Sequence, residues 1–506
     1  MASGTQKPEQ VIVVGAGNAA LTAALAAHEA GSRVLVLEAA PYEERGGNSR
    51  FAGAIFRFAH AGAEDVAPLI DGDARQWLAR VEFGSYSREN YLSDLVATSA
   101  GQSDRPLIEI LVDRSREMVT WMHDRGVKFE LTVGKLLDPN NMDSTRTYQL
   151  TPGGAVRVQH EGVGLMDNLF SAVEQAGIEV WYDAPAHDLI GSGDHVLGVR
   201  VRRGESFIDV HGTVILACGG FEANPEMRQQ FLGPGWDLVK VRGSRFNSGA
   251  MLRRALDAGA QSYGHWGGCH ASPLDADAPP VGDLRLTDKL SRYSYPYAIL
   301  VNVDGQRFVD EGENDVWLTY AKTGSAIRQQ PQALAFQIFD QKTVHLLEPR
   351  YSTGTPIEAS TIVELANKLG VNSAALTRTV EEFNAATRGG AFDPFKKDGL
   401  GTASELRPPK SNWAQSIETA PFVAYRVTCG ITFTYGGVRI DEEARVLNRE
   451  NRPMPGLYAT GEIAGGFFFH NYPAGSGLMR GSVFGRIAGE NAAATVATPS
   501  AAAQSR

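Results

Sequence analysis

The sequence predicts an α/β fold in which one parallel-sheet domain is assembled from both ends of the chain and an α+β domain is inserted between them. Three observations predict it. The chain opens on a strand, a glycine turn, a helix and a second strand that ends in an acid. From about Arg242 to Asn412 the composition shifts, with Tyr, His, Trp, Pro and Gly crowded between Tyr263 and Pro296. After Asn412 the first style returns, closing on the glycine turn Ala459-Thr460-Gly461-Glu462 and a last apolar helix. The expected boundaries are 1–240 and 413–492 for the first domain, 241–412 for the inserted substrate domain, and 493–506 for a disordered tail rich in Ala and Ser.

The opening unit is the most specific part. Val11 to Val14 reads as a buried strand, and Gly15-Ala16-Gly17-Asn18-Ala19-Ala20 follows with the G-x-G-x-x-A spacing. Gly15 makes the tight turn, Gly17 lets the backbone approach a pyrophosphate, and small Ala20 lets the helix pack on the strand. The helix N-terminus offers N–H groups and partial positive charge to phosphates, with Asn18 and Ala19 in its first turn. Val34 to Leu37 is the second strand, and Glu38 at its end suits a ribose diol. The unit is Rossmann-like and binds a dinucleotide.

Further elements follow from periodicity and caps. Arg105 to Arg125 is a helix with Pro106 in its first turn and Gly126 at its end. Val163 to Ala176 is a helix closed by Gly177. Strands are expected at Ile178–Tyr182, Leu197–Val201, Thr213–Ala217, Ala298–Val303 and Val438–Ile440. The run Thr213–Ala217 enters a second glycine turn, Cys218-Gly219-Gly220-Phe221. Asp304-Gly305 is a hairpin-turn pair. Helices are expected at Thr361–Leu369, Ser373–Thr387 and Leu478–Asn491.

Composition narrows the function. The chain has 506 residues, 43% of them hydrophobic, and a net charge of −10. It has no basic block, which argues against nucleic acid and anionic membrane as partners. Three cysteines, Cys218, Cys269 and Cys429, cannot supply a four-cysteine iron–sulfur cluster, and none sits in a C-x-x-C pair. No metal site is expected. Low cysteine usage, a polar start and no long apolar run point to a cytoplasmic protein without a signal or a membrane span.

The motifs Gly15 to Ala20, Arg45-Gly46-Gly47-Asn48-Ser49, Ala217 to Phe221, Arg307-Phe308-Val309-Asp310-Glu311 and Ala459 to Glu462 occur in this order. Together they resemble the FAD-binding flavoproteins of the fumarate reductase and succinate dehydrogenase type. With Phe221-Glu222-Ala223-Asn224-Pro225, Gly264-His265-Trp266 and His470-Asn471-Tyr472-Pro473, the chain is most similar to the tricarballylate dehydrogenase-like members, and it shares features with 3-ketosteroid dehydrogenases. The resemblance implies a GR2-type flavoprotein fold, an FAD domain with a capping domain. It implies FAD contacts at Gly46, Gly47, Asn48, Ser49, Gly219, Gly461, Glu462, Ser476 and Leu478. Some relatives link FAD to a histidine. Phe51 to Phe58 holds none, so FAD is expected to be non-covalent.

The resemblance also implies the chemistry, which interconverts CH–CH and C=C beside an electron-withdrawing group. Arg307 takes the place of the proton-shuttling arginine. The alternative is a structural arginine paired with Glu311. His270 aligns with a substrate-binding histidine. Where the fumarate branch has a histidine pair this chain has Thr432-Phe433, and Tyr472 stands where that branch has a carboxylate-binding arginine. Two carboxylate clamps are thereby lost. Tyr472 matches instead the late tyrosine of the ketosteroid enzymes, which binds a ketone beside a glycine N–H. Gly475 and Ser476 are the candidate donors here, and His470 and Arg480 the candidate carboxylate holders.

These residues lead to an FAD-dependent dehydrogenase that desaturates a small organic acid next to a carbonyl. Tricarballylate and a cyclic keto acid are the candidate substrates, with Tyr472 favouring the keto acid. Electrons would leave to oxygen, a quinone or a partner protein. The alternatives are a fumarate-reductase-like enoate reductase and an electron-relay flavoprotein subunit.

Overall fold

A computed structural model describes residues 10–132, 147–192 and 194–497. The elements that carry the site are β1 (Val11–Val14), α1 (Asn18–Glu29), β2 (Val34–Leu37), β3 (Thr213–Leu216), β4 (Ser262–Asp275), α2 (Tyr320–Arg328), β5 (Phe422–Val438), β6 (Pro453–Ala459) and α3 (Ser476–Ala497).

The first domain is built on a six-stranded sheet. Its order is Arg445–Leu447, β6, β3, β1, β2 and Glu179–Trp181. β1 pairs in parallel with both β2 and β3, and β3 pairs in parallel with β6. Only Arg445–Leu447 runs antiparallel. Every residue of β1, β2 and β3 is buried. That burial explains their unbroken apolar runs, since a parallel sheet is covered on both faces. Sequence-distant β6 joins here, which makes one domain from both chain ends.

α1 packs against α3, and α1 is rich in Ala and α3 in Gly and Ala for a steric reason. A Cβ at Gly485 would meet the Ala19 carbonyl oxygen at 2.7 Å, and one at Gly489 would meet that of Ala23 at 2.4 Å. The Asn18 amide fixes the register by donating to Leu478 O and Ser482 Oγ, each at 3.0 Å. α3 runs to Ala497, so the tail expected from 493 begins as ordered helix. Residues 498–506 lie outside the described residues.

The second sheet carries the cap. Its main path is Lys240–Val241, β5, Leu334–Phe339 and Ile299–Asn302, with β4 also antiparallel to β5. β4 and β5 are 14 and 17 residues long, and both lie in stretches that the sequence left without a strand. They run from the first domain, where Ser262 pairs with Val438, into the cap, where Asp275 pairs with Val427. The two domains are therefore joined by the paired strands β4 and β5, which lie away from the expected boundaries at 241 and 412–413. The β4–β5 register shifts between His265 and Cys269 and again between His270 and Ala271, a bulge that locally redirects β4. α2 lies close on β4, because a Cβ at Gly324 would sit 2.6 Å from the Ala271 carbonyl. That contact places Tyr320, the first residue of α2, near His270. The helices of the cap, Ile362–Leu369 and Ser373–Ala386, start on the side-chain caps Thr361 and Asn372. Among the described residues no helix is long and apolar enough to cross a membrane.

Candidate active site

One long cavity runs from Glu38 at the end of β2, past the N-terminus of α1, to Tyr472 under the cap. At its first end Gly15 is left-handed (φ 106°), and a Cβ there would lie 2.5 Å from the Ala217 carbonyl oxygen. Only glycine fits this crossing. Gly17 begins α1 with no side-chain cap and no acid in the first turn. The helix N-terminus thus faces the cavity ready for an anion. Gly15, Gly17, Asn18 and Ala19 all line the cavity, as do Glu38, Gly47, Asn48 and Ser49. Ser49 Oγ accepts the Asn18 N–H at 3.0 Å, which ties the second loop to α1. Glu38 accepts the Ala40 N–H at 2.8 Å, and burial pushes its carboxyl up to about 7 against the pull of backbone N–H groups.

Midway, Gly219, Gly461, Glu462 and Leu478 line the cavity. Glu462 accepts the Thr434 N–H at 2.7 Å and lies against Glu222. Glu222 is fully buried and accepts the amides of Asn48 and Asn247 at 2.5 and 2.6 Å. Burial and the neighbouring Glu462 hold Glu222 well above the usual carboxylate range. Asn48 also binds Thr432 O at 2.6 Å and accepts the Ser244 N–H at 2.7 Å. Its side chain therefore clasps the cap-side strands to the first domain.

The far end is an aromatic chamber. The rings of Tyr320, Phe433 and Tyr472 surround His270 at centroid distances of 4.8, 5.3 and 5.0 Å. Tyr293 stands 5.1 Å from Tyr320. The hydroxyls of Tyr320 and Tyr472 are hydrogen-bonded to each other. Burial pushes Tyr472 up to about 12 and holds Tyr320 well above the ordinary phenol, while Arg242 pulls both down. Left-handed Gly475 and its neighbour Gly477 form the wall below Tyr472. Arg242, Asp288 and Arg350 close the chamber on the cap side, with Asp288 paired to both arginines.

The structure thus brings together Tyr472, His270, Phe433, Gly475 and Arg480 from the residues the sequence singled out. It separates others. Arg307 lies outside the cavity lining. Its guanidinium binds Glu311 at 2.5 and 3.0 Å and the carbonyls of Pro408 and Pro409, and it lies over the Phe383 ring. Glu311 in turn accepts the Leu300 N–H at 2.8 Å. Arg307 is the structural arginine of the alternative, and its assignment as the proton carrier is corrected. His470 is exposed, bonded to Gln102 and His265, and does not reach the chamber. Ser476 points away, since its hydroxyl accepts from Tyr91 at 3.0 Å and its N–H binds Pro473 O at 3.2 Å. Ala20 and Gly46 shape the cavity from behind: Ala20 is fully buried, and a Cβ on Gly46 would meet Met166. Tyr320, Arg242, Asp288 and Arg350 line the chamber but belong to no motif of the sequence. The one local signal for Tyr320 is its position after the Arg307–Glu311 motif, at the start of a helix in the cap.

The elongated cavity, the uncapped helix and the acid at the end of β2 fit a flavin dinucleotide. A family model described as FAD binding domain matches residues 10–478. The chain belongs to the FAD binding domain family. FAD is therefore its cofactor, and the residues just described are those available to hold it. The chain is 28% identical to NADH:fumarate oxidoreductase of Klebsiella pneumoniae (strain 342) over 96% of its own length, but spans only 48% of that protein. It is 28% identical to 4-oxocyclohexanecarboxylate 2-dehydrogenase of Sinomonas cyclohexanicum, covering 96% of this chain and 93% of that one. Among solved structures it is similar to the open conformation of a flavocytochrome c3 fumarate reductase, with a TM-score of 0.69, 25% identity and coverage of 98% and 80%. It shares its fold with 3-ketosteroid delta1-dehydrogenase from Sterolibacterium denitrificans, with a TM-score of 0.73, 21% identity and coverage of 96% and 99%.

Proposed function

We propose that this chain is an FAD-dependent dehydrogenase that forms a C=C bond α,β to the ketone of a small cyclic keto acid such as 4-oxocyclohexanecarboxylate. The observation that carries the reading is the Tyr320–Tyr472 hydroxyl pair, set beside Gly475 in an apolar chamber at the end of the cofactor cavity. The full-length similarity to 4-oxocyclohexanecarboxylate 2-dehydrogenase supports it.

Bound FAD supplies a two-electron acceptor for a hydride from the substrate's β-carbon. The chain supplies the rest. Tyr472 is a neutral phenol at physiological pH and donates a hydrogen bond to the ketone oxygen, alongside the Gly475 N–H. Both stabilise the negative charge that develops as the α-carbon loses its proton. Tyr320 Oη is the group that takes that proton. It acts from its phenolate form, which Arg242 favours and burial disfavours. The aromatic walls exclude water, which strengthens each of these interactions. The substrate loses one proton and one hydride, and an external acceptor (oxygen, a quinone or a partner protein) removes the electrons from the enzyme. FAD is held non-covalently: His60, the first histidine after the Gly46–Ser49 loop, is buried and lies outside the cavity lining.

Anaerobic mixing of the yellow holoenzyme with saturated keto acids and polycarboxylates tests the reading. 4-Oxocyclohexanecarboxylate should bleach the flavin. Bleaching by tricarballylate alone would replace the ketone reading with a tricarboxylate one. Reoxidation of chemically reduced enzyme by fumarate, with no bleaching by any saturated acid, would favour a reductase.

A further inference from the structure

Four arginines line the substrate half of the cavity or its rim: Arg157, Arg242, Arg350 and Arg480. Two of the other three are committed to ion pairs elsewhere. Arg157 binds Glu130 at 2.5 Å. Arg350 binds Asp288 and Glu348, each at 2.7 Å, with Glu161 at 3.8 Å. Arg480 lies among the rings of Phe433, Phe467 and Phe468 at 5.7, 5.4 and 4.9 Å, with Glu462 as its countercharge, and its guanidinium is held by one long hydrogen bond, from Nη1 to Ala464 O at 3.4 Å.

Arg242 differs. Its Nε donates to Ser291 Oγ at 2.7 Å, its Nη2 to Asp288, and its Nη1 to Thr432 Oγ1 at 3.2 Å. Its backbone N–H is fixed to Ile431 O at 2.7 Å. Of the five N–H groups of a guanidinium, three are engaged among the described residues, which leaves one on each terminal nitrogen. Its countercharge, Asp288, is shared with Arg350. The guanidinium is locked in place before any ligand arrives, and its charge reaches the hydroxyls of Tyr293, Tyr320 and Tyr472. Thr432 adds a second argument. It occupies a place where the resemblance to fumarate reductases leads one to expect a cationic histidine, and here its hydroxyl instead supports an arginine just after the strand Lys240–Val241.

Building on the dehydrogenase reading above, we propose that Arg242 receives the carboxylate of the substrate through its two remaining N–H groups while the ketone lies at Tyr472. The substrate class is then a compact keto acid with both groups on one small ring or chain. Neither a neutral ketone nor a carbonyl-free polycarboxylate satisfies both ends.

The test uses FAD-loaded full-length enzyme, wild type and Arg242→Met, Arg242→Lys and Thr432→Val. Two readouts are compared. The first is anaerobic flavin bleaching by 4-oxocyclohexanecarboxylate relative to cyclohexanone. The second is a titration of benzoate, a carboxylate that cannot be dehydrogenated, followed through the flavin spectrum. Wild type should prefer the keto acid, and Arg242→Met should lower that preference and weaken benzoate by roughly 10²-fold, as for loss of one buried charged partner. Arg242→Lys should recover part of both, since an ammonium keeps the charge without the fork. Thr432→Val should weaken benzoate less than Arg242→Met does. Unchanged benzoate affinity and keto-acid preference in Arg242→Met would overturn the assignment. If that variant does not retain FAD, unchanged benzoate affinity in both Arg242→Lys and Thr432→Val overturns it. If neither ketone bleaches wild type, the dehydrogenase reading fails, and the benzoate titration still decides whether Arg242 is a carboxylate site.

Discussion

Tyr320 and Tyr472 share a hydrogen bond but have opposite parts in the proposed reaction, and pH separates them. Burial holds the Tyr320 phenol well above its ordinary value, so the neutral form dominates at physiological pH. If its phenolate takes the α-proton, flavin reduction by a keto acid should accelerate by about tenfold per pH unit below that ionisation. Stopped-flow bleaching across neutral and alkaline pH measures this. Tyr320→Phe should lower the rate by about 10²–10⁴-fold and flatten the profile. A slope that survives in Tyr320→Phe would assign the proton to another group. Arg307 gives the complementary prediction. Arg307 and Glu311 are buried against each other away from the chamber. Arg307→Ala should therefore destabilise the fold by about 3–5 kcal/mol, the usual loss when one partner of a buried pair is removed. Flavin reduction in the folded fraction should stay near wild type. Urea denaturation and single-turnover bleaching separate the two effects. The sequence could name Tyr472 because it sits in the His470–Pro473 motif, and His270 through the family resemblance. It could not distinguish a catalytic Arg307 from a structural one, since both roles are compatible with the same motif and only the location of its partners decides. Arg242 was illegible for a related reason: its proposed role depends on Asp288 and Ser291 from one turn and Thr432 from β5, both far from it in sequence.

At the scale of elements, the first domain was the most legible. β1, α1, β2 and β3 follow directly from apolar runs, glycine turns and a terminal acid. The α1–α3 contact was not legible, because a stripe of glycines gives no sign of which helix it meets. It yields a clear prediction. Gly489→Val places a branched side chain against the Ala23 carbonyl and should cost about 1–3 kcal/mol, the usual penalty for overpacking. It should also weaken FAD retention, because α1 presents its N-terminus to the cofactor. Denaturation midpoints and the flavin-to-protein ratio check both. The loop that carries Tyr472 depends on a histidine. His265 Nδ1 accepts the His470 N–H at 3.0 Å, so the loop is held only while that nitrogen is unprotonated. Burial, then the neighbouring His470, lowers the His265 pKa below its unfolded value near 6.5. Buried His60 is shifted the same way by burial. As pH falls below about 6.5, the unfolded chain gains protons first, and stability is lost through the folded pKa. The unfolding temperature should therefore drop between about pH 7 and pH 5, and drop less in His265→Asn. An equal drop in that variant would exclude His265 as a contributor.

At the scale of the molecule, the inserted cap was visible as a change in composition, but its junction was not. The sequence suggested boundaries near 241 and 412, whereas β4 and β5 cross from one domain to the other as paired strands. These strands carry Gly, Pro, His and Thr at many positions, and the local pattern predicts no strand over 262–275 or 422–437. Their strand character comes from pairing with each other, a long-range property that local pattern does not encode. This crossing is what places the cap residues Tyr320, Asp288 and Arg350 over the chamber floor formed by Phe433, Tyr472 and Gly475. In the proposed reaction that chamber removes two hydrogens from adjacent carbons of a keto acid. The most direct test is a single anaerobic turnover of wild-type and Tyr472→Phe holoenzyme with 4-oxocyclohexanecarboxylate and, separately, tricarballylate, with the product analysed by mass spectrometry alongside flavin bleaching. Wild type should give one unsaturated ketone, lighter by two hydrogens, per flavin reduced, and Tyr472→Phe a rate about 10²-fold lower, the lower end for losing one oxyanion donor. Flavin that stays oxidised with the keto acid, or an equal rate in Tyr472→Phe, would contradict the proposed reaction.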